Sequence, residues 1–237
     1  ASNNTAVGYA ALGANTTGTR NVAMGAYTLD AHTTANDNTG LGYAALSAVT
    51  TGAANTAVGA EALLSNTASN NTAVGSDALR ANTTGADNVA MGVNSLDANT
   101  TGNYNVSIGT AALTSNTTAS NNVAVGQSAL SLNTEGTQNV AIGSLSLDAN
   151  TTGDNLTAVG YSALGSNTTG SHNTAVGTSS SASITTGNLN VSMGLSSLGS
   201  TTTGSNNIAI GYNSLGANTT ASNNTAVGYA SLAANTT

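Results

Sequence analysis

Aliphatic and small residues alternate in short bursts along this chain, and the bursts return in register about every seventeen residues. Each burst ends on a glycine: Gly8, Gly25, Gly42, Gly59, Gly75, Gly92, Gly109, Gly126, Gly143, Gly160, Gly177, Gly194, Gly211 and Gly228, with the interval from Gly59 to Gly75 shortened to sixteen. The residue before the glycine is aliphatic in all fourteen copies, Val7 and Val58 among them; two places earlier stands Thr, Val or Ile, with Ala, Ser or Gly between. This period-two alternation predicts a short strand with one face inward, and the aliphatic columns are the expected inward face. Four residues after the glycine comes Leu in thirteen copies, from Leu12 and Leu29 to Leu232, with Ser181 the exception. That column is a second expected inward stripe, and the small residue before each Leu is expected to let backbones or neighbouring chains approach closely.

The glycine itself is expected at the corner between strands, where it needs a positive φ or a backbone approach too close for a Cβ. A second glycine recurs ten residues on, as in Gly18 and Gly52, with Ala35, Ala119 and Ala221 as replacements, so that corner is less demanding. Asn stands four residues before the first glycine, as in Asn4, Asn21 and Asn38, and is broken only by Leu156. Stacked at strand spacing, such amides can bond one another up the axis or cap the turn backbone. Thr16, Thr33 and their equivalents form a further column eight residues after the glycine, most with a second Thr beside them; by alternation, if one hydroxyl faces inward the other faces solvent.

A unit repeated this often stacks along an axis and leans on its neighbours, without a central core. The expected fold is all-β: a parallel β-solenoid of about fourteen coils, two or three short strands per coil, and a rod on the order of 65 Å at ~4.8 Å per coil. Residues 1–237 read as one repeat array. Helix is excluded by the density of Gly, Asn and Thr. The chain lacks Phe, Trp, Cys and Pro, and charged residues are only 5%, so order comes from register and not from large side chains.

The formal charge is −7 and the only cations are Arg20 and Arg80. Nucleic acid and anionic membrane are therefore poor partners, and no apolar run reaches the ~20 residues that span a bilayer. The segment Ala234–Thr237 followed by Ala1–Ala10 would repeat the sequence of Ala217–Ala230, which suits either a slice of a longer fibre or end-to-end stacking into a filament.

The motif Asn4-Thr5-Ala6-Val7-Gly8, with Asn139-Val140-Ala141-Ile142-Gly143 and Asn207-Ile208-Ala209-Ile210-Gly211, resembles the N-S-V-A-I-G repeat in the head of YadA-like trimeric autotransporter adhesins, a repeat type also seen in phage tail fibres. The resemblance implies a left-handed parallel β-roll, three chains packed side by side with their Val and Ile columns buried, and an extracellular, cell-surface or virion setting. The period is longer than the family's usual coil, and the N-T-T-G segment is not typical of its heads.

Catalytic chemistry finds little to work with. His32 and His172 occupy different columns and are expected on the outside. Asp30, Asp97 and Asp148 share a column but stand several coils apart, and no His or Cys cluster offers a metal site, so neither enzyme activity nor a cofactor is expected. Tyr9, Tyr43, Tyr161, Tyr212 and Tyr229 follow the glycine directly and suit either shielding of the sheet backbone or contact with a host surface or glycan. Asn15, Asn82, Asn99, Asn116, Asn150, Asn167, Asn218 and Asn235 open N-T-T triplets that match the glycosylation sequon, or else form a ladder. The expected function is a structural fibre that self-associates as a homotrimer, an end-to-end filament or both. The alternative is an ice-binding Thr ladder, for which adjacent Thr pairs beside a Gly corner are a poor match to T-x-T on one strand face.

Overall fold

The computed structural model describes residues 1–236 and divides into two compact units, Ala1–Ser120 and Asn121–Thr237. The first unit carries β1 (Thr5–Val7), β2 (Val22–Met24), β3 (Thr39–Leu41), β4 (Thr56–Val58), β5 (Thr72–Val74), β6 (Val89–Met91) and β7 (Val106–Ile108). The second carries β8 (Val123–Val125), β9 (Val140–Ile142), β10 (Thr157–Val159), β11 (Thr174–Val176), β12 (Val191–Met193), β13 (Ile208–Ile210) and β14 (Thr225–Val227). Within each unit every strand pairs in parallel with the next in sequence order, Thr5 opposite Val22 and Thr157 opposite Thr174, so each unit is a parallel β-solenoid. The short interval is absorbed without a slip of register, since Thr56 still faces Thr72 and Val58 faces Val74.

Each coil holds one three-residue strand where two or three were expected. The segment from the glycine to the Leu column cannot be a strand, because the second and fourth residues after the glycine are left-handed, as in Glu61 (φ 57) and Leu63 (φ 53). A third left-handed residue precedes the Asn column, as in Asp37 (φ 64) and Tyr104 (φ 58). Left-handed backbone is costly for residues with a Cβ. Bonds between coils hold it in place here: Glu61 N–H donates to the Tyr43 carbonyl at 2.9 Å, and Leu63 N–H to the Ala78 carbonyl at 3.0 Å.

The strands turn inward the face opposite to the expected one, while the Leu column is interior as expected. On every strand except β1, where Ala6 in the first coil is exposed, the central small residue is buried and the flanking aliphatics are not: Ala73 and Ala90 are fully buried, whereas Met91 is 42% exposed. The strand-centre column faces the small residues that precede Leu, also interior, and this makes the coil thin. Volume is traded across that contact. Thr28 replaces Ala on one side where Gly40 replaces Ala on the other, and a Cβ on Gly40 would run into the Thr28 methyl at 2.6 Å. Where Ser95 stands on one side, Ser107 stands opposite and accepts its hydroxyl at 2.7 Å. Leu is the bulky interior residue, fully buried from Leu29 through Leu113 in the first unit and from Leu130 through Leu215 in the second, except where Ser181 replaces it.

At the first corner a glycine can meet both requirements at once, as Gly25 does. Gly25 has φ 137, and a Cβ there would overlap the backbone carbonyl of Gly42 one coil on.

Candidate interaction surfaces

Because the strand centre turns inward, the residues on either side of it turn outward. The strands therefore present two parallel rows, Thr, Val or Ile in one and Val, Ile, Met or Leu in the other. In the second row Met24 is 47% exposed and Ile142 is 41% exposed. Val58 and Val125 are half-buried. Register pairing places Val74 beside Met91 and Met91 beside Ile108, so within the first unit the row is continuous from coil to coil at sheet spacing. Val7 and Val58, expected inside, belong to this outward row. Leu12 and Leu29 belong to the interior Leu column, and Leu12, in the first coil, is half-buried.

Behind that face the coil is held by two amide ladders. In the first, Asn88 Nδ2 donates to Asn71 Oδ1 at 3.2 Å and to the Gly102 carbonyl at 2.9 Å, while its Oδ1 accepts the Asn105 N–H at 2.9 Å. Asn4 and Asn21 open this ladder. The second is built from the N-T-T asparagines: Asn99 Nδ2 donates to Asn82 Oδ1 at 2.8 Å and to the same Gly102 carbonyl at 3.0 Å. Asn82, Asn99, Asn116, Asn150, Asn167 and Asn218 are fully buried, which withdraws their amides from any glycosylating enzyme in the folded chain. Repetition alone revealed these columns; their convergence on one carbonyl was not legible.

In the Thr column neither member of a pair is buried among the described residues, so neither hydroxyl faces inward. Thr16 and Thr33 hydroxyls donate to the backbone carbonyls of Thr33 and Thr50 at 3.1 and 3.2 Å. Among the described residues the second Thr of each pair, such as Thr34 or Thr84, is exposed.

Tyr9, Tyr43, Tyr161, Tyr212 and Tyr229 are all exposed, Tyr229 by 80%. Tyr9, Tyr27 and Tyr43 form an edge-to-face row with centroids 5.3 and 6.0 Å apart, and Tyr212 stacks on Tyr229 at 5.2 Å. Tyr27 joins the row from the position one place later in its coil, a contribution the column alignment did not show.

Both arginines are engaged. Arg20 forms a two-pronged pair with Asp37 at 2.6 and 2.8 Å, which raises the guanidinium pKa and lowers that of the carboxyl, and Arg80 meets Asp97 at 3.2 Å. Asp30 accepts the Ser47 hydroxyl at 2.6 Å, and burial raises the Asp148 pKa; the three column acids thus have separate surroundings. His172 is exposed as expected, but His32 is not: it occupies the second Asn ladder and is fully buried. Its place seven residues after Gly25 is the signal that could have found it. Among the described residues no pocket is found, and no three His, Asp or Glu side chains converge. No helix is long and apolar enough to cross a membrane. No family model, curated protein or solved structure matches the chain.

Proposed function

We propose that this repeat protein is a non-catalytic structural element of a fibre, displayed at a cell surface or on a virion, and that its aliphatic strand face is where copies lie side by side. One observation carries the reading. In each unit a row of aliphatic side chains faces outward in register, on strands whose inward position is Ala in most coils and Ser or Gly in the others. An ordered apolar surface of that extent is unusual on a soluble monomer and marks a place of association. The resemblance to adhesin heads favours three copies, and the strands carry no charged residue that would repel a facing copy. The exposed tyrosines suit contact with a host surface or a glycan.

The ice-binding reading draws less support. The Thr67 and Thr83 hydroxyls donate to protein carbonyls at 2.8 and 2.9 Å, which removes their donors from ordering water. On the strand face, Thr alternates irregularly with Val and Ile, and Met interrupts the neighbouring row.

Sedimentation equilibrium tests the association. The expected mass is a multiple of the 22.7 kDa chain, threefold for a trimer. Met91→Glu with Ile142→Glu is expected to return the particle to the single-chain mass with its strand circular dichroism intact. A single-chain mass for the unsubstituted protein at tens of micromolar would overturn the proposal.

A further inference from the structure

The second Asn ladder is interrupted in the second coil, and the interruption is titratable. His32 is fully buried between Asn15 of the preceding coil and Val49 of the following one. Its Nε2 lies 2.9 Å from the Ala35 carbonyl, which can only accept, so Nε2 carries the proton of the neutral ring. Nδ1 is buried with no partner. The repeat explains why: in an unbroken ladder the residue one coil on donates an amide N–H, and Val49 has none to give. On the other side, Asn15 is turned to its own corner, accepting the Gly18 N–H at 3.0 Å and donating to the Gly18 carbonyl at 3.3 Å. The carboxylates of the same coil bond elsewhere, Asp30 to Ser47 and Asp37 to Arg20.

We propose that the second coil is an acid-sensitive weak point of the first unit: a proton added to His32 at Nδ1 creates a buried cationic N–H with no acceptor, and the coil opens to hydrate it. A buried charge without a partner is far more costly than the neutral ring it replaces. Desolvation lowers the imidazole pKa of the closed coil, in agreement with that geometry. The sign follows from linkage. Stability is full above the open-state value of 6.5 and is lost as pH falls below it, because the open coil binds a proton that the closed coil resists. Opening would separate β2 from β3 and free both edges for pairing with another chain.

Amide hydrogen exchange, corrected for intrinsic rates and compared between about pH 7.5 and pH 5, tests this. Protection at Leu29, His32 and Thr33 is expected to fall by up to about tenfold per pH unit below about 6.5, the slope set by one proton. Equivalent amides of the second unit, Leu147, Asn150 and Thr151, should hold. His32→Asn restores the column residue and is expected to abolish the difference. Equal loss in both units, no loss at the second coil, or an unchanged pH response in His32→Asn would each overturn the proposal.

Discussion

The two Asn ladders are made of the same residue at the same spacing, yet they tolerate replacement very differently. The first is broken in a single coil, by Leu156. The second loses Asn at His32, Val49, Ile184 and Thr201. The difference lies in what each amide holds. A first-ladder carbonyl takes a backbone N–H from the next coil, as Asn55 Oδ1 takes Asn71 N–H at 2.9 Å, so its loss strands main chain. A second-ladder amide mainly bonds its ladder neighbours and one corner carbonyl. That carbonyl is shared, because Asn71 and Asn82 both donate to Gly85, at 2.9 and 2.8 Å. Where Val49 interrupts the second ladder, Gly52 keeps Asn38; where Ile184 does so, Gly187 keeps Asn173; and where Leu156 interrupts the first, Gly170 keeps Asn167. In these coils each ladder covers the gap in the other.

The largest effect should therefore come from removing both donors to one carbonyl. Asn88→Ala with Asn99→Ala leaves the Gly102 carbonyl without either amide and is expected to destabilise by about 1–3 kcal/mol more than the sum of the single changes in urea unfolding. An additive double mutant would show that the shared carbonyl is no link between the ladders. The single changes should themselves differ. Asn88→Ala, which strips a cap from the Asn105 N–H, should cost about 2–4 kcal/mol, whereas Asn99→Val, which repeats the replacement the chain already carries at Val49, should cost about 1 kcal/mol or less. Equal costs would erase the distinction.

The existence of stacked coils, the two glycine corners, the Leu stripe and the first Asn ladder were legible because each follows from register alone. Orientation was not. Alternation says that Ala73 and Val74 face opposite ways but not which one is inside, and the larger apolar residue is the default choice for the interior. The coil's width decides otherwise: with Leu already filling one end, two facing small columns leave no room for a valine. Thr28 against Gly40, and Ser95 against Ser107, are sequence pairs that could have revealed this contact twelve residues apart. The left-handed Leu column was hidden for a different reason, since residues with a Cβ rarely adopt that backbone and nothing in Leu marks it. A coil that breaks the pattern shows the same physics in exchange. Ser181 replaces the interior Leu, Ile184 replaces the nearby Asn, both are buried, and the Ser181 hydroxyl joins Ser192 at 2.7 Å.

The central claim is that equivalent residues of successive coils stand directly over one another, and spin-label distances test it most directly. With Thr5→Cys fixed, second labels at Thr72→Cys, Val89→Cys and Val106→Cys, diluted with unlabelled chain, should give separations rising by about 4.8 Å per coil, to roughly 19, 24 and 29 Å. Distances that fail to rise in equal steps would contradict the stacked solenoid.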